Sequence, residues 1–456
     1  MTAASSNASR PTGPTGPAGA DRRAALAILT EVIDRGRPLD AAVDAAFSGA
    51  GAALPVRDRA FARALATAAL RHRGGLTRLV GALLDRPPKG RARQMLPLLH
   101  LGLAQIFHMN VADHAAVSAT VALAPKPYRG LVNAVLRRAV RDRARLASLL
   151  AADGVDLPAW LFARWQKTYG AETAAAMARA MAVEPPLDLT ARHDPAALAQ
   201  ATDGRLLATG SVRLVRPPAV DTLPGFDQGA FWVQDAAAAL PVALLGDVAG
   251  RRVADLCAAP GGKTLQLAAR GARVTAVDRS AERLATVRAN LDRCGLDARI
   301  VAADLTEWTP DAPFDAILLD APCTATGTLR RHPDVAWHRG AADVAKLAAL
   351  QRRLAARAAG WLAPGGRLVF STCSLEPEEG PAVARHLIET CDDLAPQPLG
   401  DPAAEAARLA PDAPEGLAAA LAGFADAEGW LRTRPDQWAE VGGLDGFFAA
   451  RFVKRG

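Results

Sequence analysis

The chain has 456 residues, half of them hydrophobic and 5% aromatic, with a formal net charge of +7. Its length allows two or three buried cores. It has no run of about 18 apolar residues that would cross a membrane, and its five cysteines, none in C-x-x-C spacing, indicate neither a disulfide framework nor a metal site. The charge is uneven: residues 1–150 hold 22 Lys/Arg against 9 Asp/Glu, or +13, and the rest hold 32 against 38, or −6. The basic part points to a polyanionic partner, against the plainer reading of an Arg-rich solvated helix surface. Reduced thiols without a membrane span give the expectation of a cytoplasmic protein, and of a monomer.

Residues 1–21 are rich in Ala, Ser, Thr, Pro and Gly and lack an apolar h-region. They read as a disordered tail and not as a secretory signal. Residues 22–150 read as all-α. Leu26, Leu29 and Ile33 recur at helical spacing, as do Phe61 and Leu65, and then Leu76, Leu79, Val80 and Leu83. Breakers at Gly49-Ala-Gly51, Pro87-Pro88 and Pro125-Lys-Pro127 separate the segments. The stretch Gly130-Leu-Val-Asn-Ala-Val-Leu-Arg-Arg138, with the helices before it, resembles the NusB domain. That resemblance implies an all-helical RNA-binding module.

Residues 155–230 read as a small α/β module with one helix, Ala159–Met181, followed by a strand at Leu187–Thr190 and further short strands. From residue 231 to 456, apolar strands alternate with helices. The strands are Val253–Leu256, Val274–Val277, Arg299–Ala302, Ala316–Leu319 and Arg367–Phe370, with helices near 264–270, 280–293 and 343–362. This alternation predicts a doubly wound, Rossmann-like parallel sheet, whose ligands bind at the carboxyl ends of the strands. The fold class is therefore α/β, preceded by the all-α domain and the small module.

The first strand of that sheet runs into Asp255-Leu-Cys-Ala-Ala-Pro-Gly-Gly-Lys-Thr264. Gly261 and Gly262 allow a tight turn and a close ligand. A Walker A loop would need glycine where Cys257 stands, and no G-x-G-x-x-G is present. A loop for S-adenosylmethionine, formed by Cys257, Ala258, Ala259, Pro260, Gly261, Gly262 and Lys263, fits better. Asp278, Asp304 and Asp320 follow three successive strands. Any one of them reads equally well as a turn aspartate. Three in register suit a ribose, an adenine amino group and a cationic sulfonium.

Two cysteines fall at matching places, Cys323 in Asp320-Ala-Pro-Cys323 and Cys373 in Ser371-Thr-Cys-Ser374. Cys257, Cys294 and Cys391 read as core filler. A thiolate that adds to carbon 6 of cytosine makes carbon 5 nucleophilic enough to take a methyl group. Asp320 is placed to protonate or hydrogen-bond N3, and a second thiol can serve the release of the product. Lys263 is a nearby cation that could favour a thiolate.

Asp320-Ala-Pro-Cys-Thr-Ala-Thr-Gly327, Arg330-Arg-His-Pro-Asp334, Ser371-Thr-Cys-Ser374 with Pro377-Glu-Glu379, Cys257–Lys263 and Asp445-Gly-Phe-Phe448 together resemble the RsmB/Sun-type RNA 5-methylcytosine methyltransferases. The resemblance implies that Cys373 is the nucleophile, that Cys323 assists product release, and that Cys257 to Lys263 with Asp278, Asp304 and Asp320 bind S-adenosylmethionine. It also implies a cytosine of small-subunit (16S) ribosomal RNA as the target. Thr324 departs from the usual serine. Arg330 and Arg331 are expected to hold RNA phosphates, against a solvated loop. Alternatives are the same chemistry on transfer RNA or another RNA, a DNA cytosine methyltransferase, and a non-catalytic RNA-binding ribosome assembly factor.

Overall fold

A computed structural model describes residues 19–86, 88–409 and 416–456. Most of the expected tail, residues 1–18, lies outside the described residues; its last part does not behave as tail, since Asp21 is buried in the first helix beside Arg22. The described chain divides into two compact units. One comprises residues up to Phe162 plus His332–His338, and the other comprises Ala163–Arg331 plus Arg339–Gly456.

The first unit is helical. It contains α1 (Ala20–Arg35), α2 (Leu39–Phe47), α3 (Val56–Arg71), α4 (Arg73–Leu83), α5 (Leu96–Phe107), α6 (Asp113–Leu123), α7 (Arg129–Arg141) and α8 (Arg143–Leu150). α5 is apolar on nearly every side, and all but its two end residues are buried, as expected of a central helix. α7 is amphipathic. Val132, Val135, Leu136 and Ala139 face the core, while Arg137 and Arg141 are exposed. Gly102 of α5 lets these two helices meet, because a Cβ there would stand 2.7 Å from a Leu136 methyl.

The seven residues His332–His338, distant in sequence, complete this unit. The Trp337 indole donates to the Leu70 carbonyl at 3.2 Å, and His338 Nε2 bonds the Val32 carbonyl at 2.9 Å. The Leu39 N–H donates to Asp334 at 3.1 Å, and the Arg73 guanidinium lies 4.7 Å from the Trp337 ring centroid.

The boundary between the units falls inside α9 (Ala159–Tyr169), which is followed by α10 (Ala171–Met181), where the spacing predicts one helix. Gly170, at φ +83°, breaks it. Then come β1 (Leu187–Ala191), α11 (Pro195–Thr202), β2 (Arg205–Leu206), β3 (Val212–Leu214) and β4 (Phe231–Val233), with the four strands in an antiparallel sheet ordered β2-β3-β1-β4. The expected module at 155–230 is thus a sheet of its own but not a separate compact unit.

The main sheet follows: α12 (Ala236–Leu244), β5 (Arg252–Leu256), α13 (Gly262–Ala269), β6 (Arg273–Asp278), α14 (Ala281–Cys294), β7 (Arg299–Ala302) and β8 (Phe314–Asp320). After α15 (Val335–His338), which belongs to the helical unit, come α16 (Ala341–Gly360), β9 (Leu362–Thr372), α17 (Pro381–Thr390), β10 (Leu394–Pro396), α18 (Pro402–Leu409), α19 (Leu417–Phe424), β11 (Leu431–Arg432) and β12 (Phe448–Lys454). Strand order is β10-β12-β9-β8-β5-β6-β7. Five neighbours from β9 to β7 are parallel, as expected of the alternating pattern, and each is a β-strand at the predicted place. β12 runs antiparallel beside β9 and carries β10 and β11, an edge the sequence did not announce. Chain order reverses between β5 and β8, and the crevice beyond that point is where such sheets hold ligands.

Candidate active site

β5 ends at Leu256, and the chain turns through Cys257 (φ +64°) and Gly261 (φ +107°) into α13. A Cβ on Gly261 would stand 3.1 Å from both Val287 methyls, so the loop lies flat on α14 and leaves its outer side for a ligand. Asp278, at the end of β6, fastens this loop: its carboxylate accepts the Ala259 N–H at 3.1 Å and the Ser280 N–H at 2.9 Å. Asp278, Asp320 and Asp255 all act on the half-buried Cys257 thiol, which desolvation first and then these charges push far up. Cys257 is therefore a neutral thiol, and the loop is an anionic place. That setting fits a ligand with a sulfonium cation. Asp255 is itself pushed up to about 7 by burial, although it accepts the Thr264 hydroxyl at 2.5 Å. Asp304 follows β7 as expected but is exposed, and it accepts the Thr306 N–H and hydroxyl at 2.8 and 2.7 Å. Those bonds hold its carboxyl below the ordinary range.

β8 and β9 are in register with Asp320 beside Ser371. The loops beyond them bring the two cysteines together, Cys323 Sγ lying 3.5 Å from Cys373 Sγ, both half-buried. The Cys323 thiol is pushed well above its ordinary range, chiefly by its hydrogen bond to Cys373 and then by burial. Either sulfur can be the donor in this contact. Beside them Asp320 accepts Lys263 Nζ at 2.7 Å and the Ser371 hydroxyl at 3.0 Å. Burial pulls the Lys263 ammonium down, but Asp320 outweighs it, and the net shift is upward. The Phe447 ring, 5.0 Å away, adds a cation–π contact. Lys263, expected to serve a thiolate, spends its charge first on Asp320.

Arg330 and Arg331 do not stand where RNA phosphates could reach them freely, and this corrects the expectation. The Arg330 side chain is 1% exposed, bonds the Gly442 carbonyl at 2.8 Å and pairs with Asp445 at 3.0 Å. Arg331, its side chain 20% exposed, pairs with Asp235 at 2.5 Å and Asp445 at 3.1 Å. Arg213, clasping Asp188 through two bonds of 2.7 Å, completes a network of three arginines and three aspartates. Burying a guanidinium is costly unless it is paired, and here pairing is complete enough to fix the loop after Cys323 rather than to serve a ligand. Asp235 also caps α12 through the Ala237 N–H at 2.8 Å. The three acids lie far from Arg330 in sequence, so no local pattern signals the network.

Residues 242–453 match the family model "16S rRNA methyltransferase RsmB/F", and residues 20–141 match the NusB family. The chain is similar to ribosomal RNA small subunit methyltransferase B of Vibrio vulnificus, with 37% identity over 380 residues, 78% of this chain and 88% of that protein. It is 37% identical to the protein of the same name from Xanthomonas campestris pv. campestris over 403 residues, 84% and 90% of the two chains. Among solved structures, a methyltransferase homolog protein from Pyrococcus horikoshii superposes with a TM-score of 0.52 at 31% identity, covering 64% of this chain and 94% of that one. Relatives this similar are matched along most of their length: the chain belongs to the RsmB/F family of 16S rRNA methyltransferases and is an S-adenosylmethionine-dependent RNA methyltransferase.

Proposed function

We propose that this chain methylates carbon 5 of a cytosine in 16S ribosomal RNA through a covalent adduct between Cys373 and carbon 6. The observation that carries this reading is the 3.5 Å approach of Cys323 and Cys373 beside the Lys263–Asp320 pair. A methyltransferase acting on a nucleophilic nitrogen or oxygen has no use for two thiols. When bound, S-adenosylmethionine would supply an electrophilic methyl group; Cys257 to Lys263 would hold it, with Asp278 serving the ribose and Asp304 the adenine.

Each residue then has its own task. Cys373 adds to carbon 6 as the thiolate, and a hydrogen bond from the Cys323 thiol across the 3.5 Å contact would support that form. Negative charge moves toward N3, where a proton is needed. Asp320 contacts N3, and Lys263 at 2.7 Å passes a proton to its carboxylate, which hands that proton on to N3. Carbon 5 is now nucleophilic and takes the methyl group. Once Cys373 is a neutral thioether, the chief cause of the Cys323 elevation is gone, and its proton can leave to solvent. The Cys323 thiolate then removes the proton from carbon 5. The Cys373–carbon 6 bond breaks, N3 returns its proton through Asp320 to Lys263, and Cys373 leaves as the thiolate that began the cycle. One proton is released per methyl transferred.

The test is a pair of variants offered 16S ribosomal RNA and S-adenosylmethionine. Cys373→Ala is expected to give neither methylation nor adduct. Cys323→Ala is expected to accumulate a denaturant-stable protein–RNA adduct. An adduct that depends on Cys323 would reverse the roles. Bisulfite mapping that loses signal only in transfer RNA of a deletion strain would overturn the ribosomal substrate.

A further inference from the structure

Glu379 has no part in the steps above, yet its side chain is wholly buried. It lies in the turn Pro377–Glu379 after β9. One carboxylate oxygen accepts the Thr324 N–H at 2.9 Å and the Gln351 amide at 3.0 Å. The other accepts the Ser374 hydroxyl at 2.6 Å and the Thr324 hydroxyl. A carboxylate has about four acceptor sites, and these four neutral donors fill them. Thr324 and Ser374 are the residues immediately after the two cysteines. Gln351, on α16, also donates to the carbonyl of Pro322 at 2.9 Å, the residue before Cys323. Cys323 is therefore bracketed on both sides, and Cys373 on one, through a single carboxylate.

We propose that Glu379 is a positioning residue for the thiol pair: its carboxylate clamps the Cys323 loop to the Cys373 loop and so sets the separation of their sulfurs. The role rests on the reading that these two cysteines carry the reaction. A carboxylate suits this place because it accepts at four sites and donates at none, so it fixes rotatable hydroxyls from both loops in one orientation. Burial without a cation among these bonded partners is the cost of that choice.

The experiment uses the full chain and needs no RNA. Diamide oxidises two neighbouring thiols to a disulfide, taking two electrons and two protons and becoming its hydrazine, and peptide mapping reads the rate of the Cys323–Cys373 product. Wild type is expected to form it readily. Glu379→Ala strands four buried donors and is expected to slow it about tenfold or more. Glu379→Gln keeps an acceptor for Thr324 N–H and Gln351, and the two hydroxyls can turn to accept from its amide, so its rate should stay within about threefold of wild type. Affinity for S-adenosylmethionine, which reports the separate loop at Cys257–Lys263, should be unchanged in both. If Glu379→Ala fails to fold, Ser374→Ala removes one strap only and is expected to slow the reaction about threefold. Wild-type rates in Glu379→Ala or Ser374→Ala, a Gln variant as slow as Ala, or no disulfide in wild type would each overturn the proposal. Wild-type methylation at a site other than cytosine carbon 5 would defeat the proposed function instead, without altering these rates.

Discussion

Asp320→Asn isolates what the Lys263–Asp320 pair contributes. The substitution keeps the shape and one neutral acceptor but removes the charge opposite an ammonium whose side chain is 11% exposed. Stranding one partner of a buried pair costs about 3–5 kcal/mol. Here the Asp320 side chain is 28% exposed, the introduced amide oxygen can still accept from Nζ, and the Phe447 ring at 5.0 Å remains, so about 2–3 kcal/mol is expected. The pH dependence carries the sharper sign. In wild type the Lys263 ammonium is raised, so its stabilising contribution is full below the unfolded lysine value and is lost only as pH rises through the higher folded value. In the variant, burial dominates and the folded value drops below the unfolded one. The deficit should then be largest near neutrality and shrink as pH approaches about 10, the ordinary lysine range. Urea denaturation followed by tryptophan fluorescence at about pH 7 and about pH 9.5, on either side of that change, measures both. A deficit under about 0.5 kcal/mol, within the range of an exposed pair, or one that does not shrink with pH, would refute the pairing argument.

Gly327→Ala should separate the two catalytic loops. A Cβ there would stand 2.0 Å from the Gly446 carbonyl oxygen, where ordinary van der Waals separation begins at 3.4 Å, so backbone must move by 3.4 − 2.0 = 1.4 Å. That shift breaks the Gly327 N–H bond to the Cys373 carbonyl at 2.9 Å and the Gly446 N–H bond to Gly327 at 2.8 Å. Two broken bonds and the overlap predict about 2–4 kcal/mol of destabilisation by urea titration, together with loss of methyl transfer; a fully active variant of wild-type stability would contradict this. On the helical unit, Arg137, Arg141 and Arg145 are exposed. Changing all three to Gln should flatten the slope of log affinity for ribosomal RNA against log salt by about 0.7–0.9 for each phosphate that is no longer neutralised. An unchanged slope would remove this face from RNA binding.

Much of the main sheet was legible because each parallel strand is a short apolar run ending in a special residue, such as Asp278, Asp320 or the Gly261-Gly262 pair. The antiparallel edge was not, since β12 reads Phe-Ala-Ala-Arg-Phe-Val-Lys, with no clean alternation, and pairs with β9 some eighty residues earlier. The cysteines were found because strand ends made them neighbours. Arg330 and Arg331 misled for the opposite reason: two adjacent charges look solvated until Asp188, Asp235 and Asp445 arrive from elsewhere in the chain. Glu379 stood in a recognised element, but nothing local tells a surface glutamate from one that fastens two loops.

The seven residues His332–His338 bear on how the helical unit is made. Its own helices end by Phe162, and 169 residues (163–331) separate them from the segment that supplies Trp337 and His338. At about 5–20 residues per second, the ribosome delivers that segment roughly 10–30 s after the rest. Until then the Leu70 and Val32 carbonyls and the Leu39 N–H have no Trp337, His338 or Asp334 to meet, and the nascent helical unit waits with an open seam. A fragment cut at residue 162 keeps that seam for good, so its behaviour in isolation reports an unfinished domain.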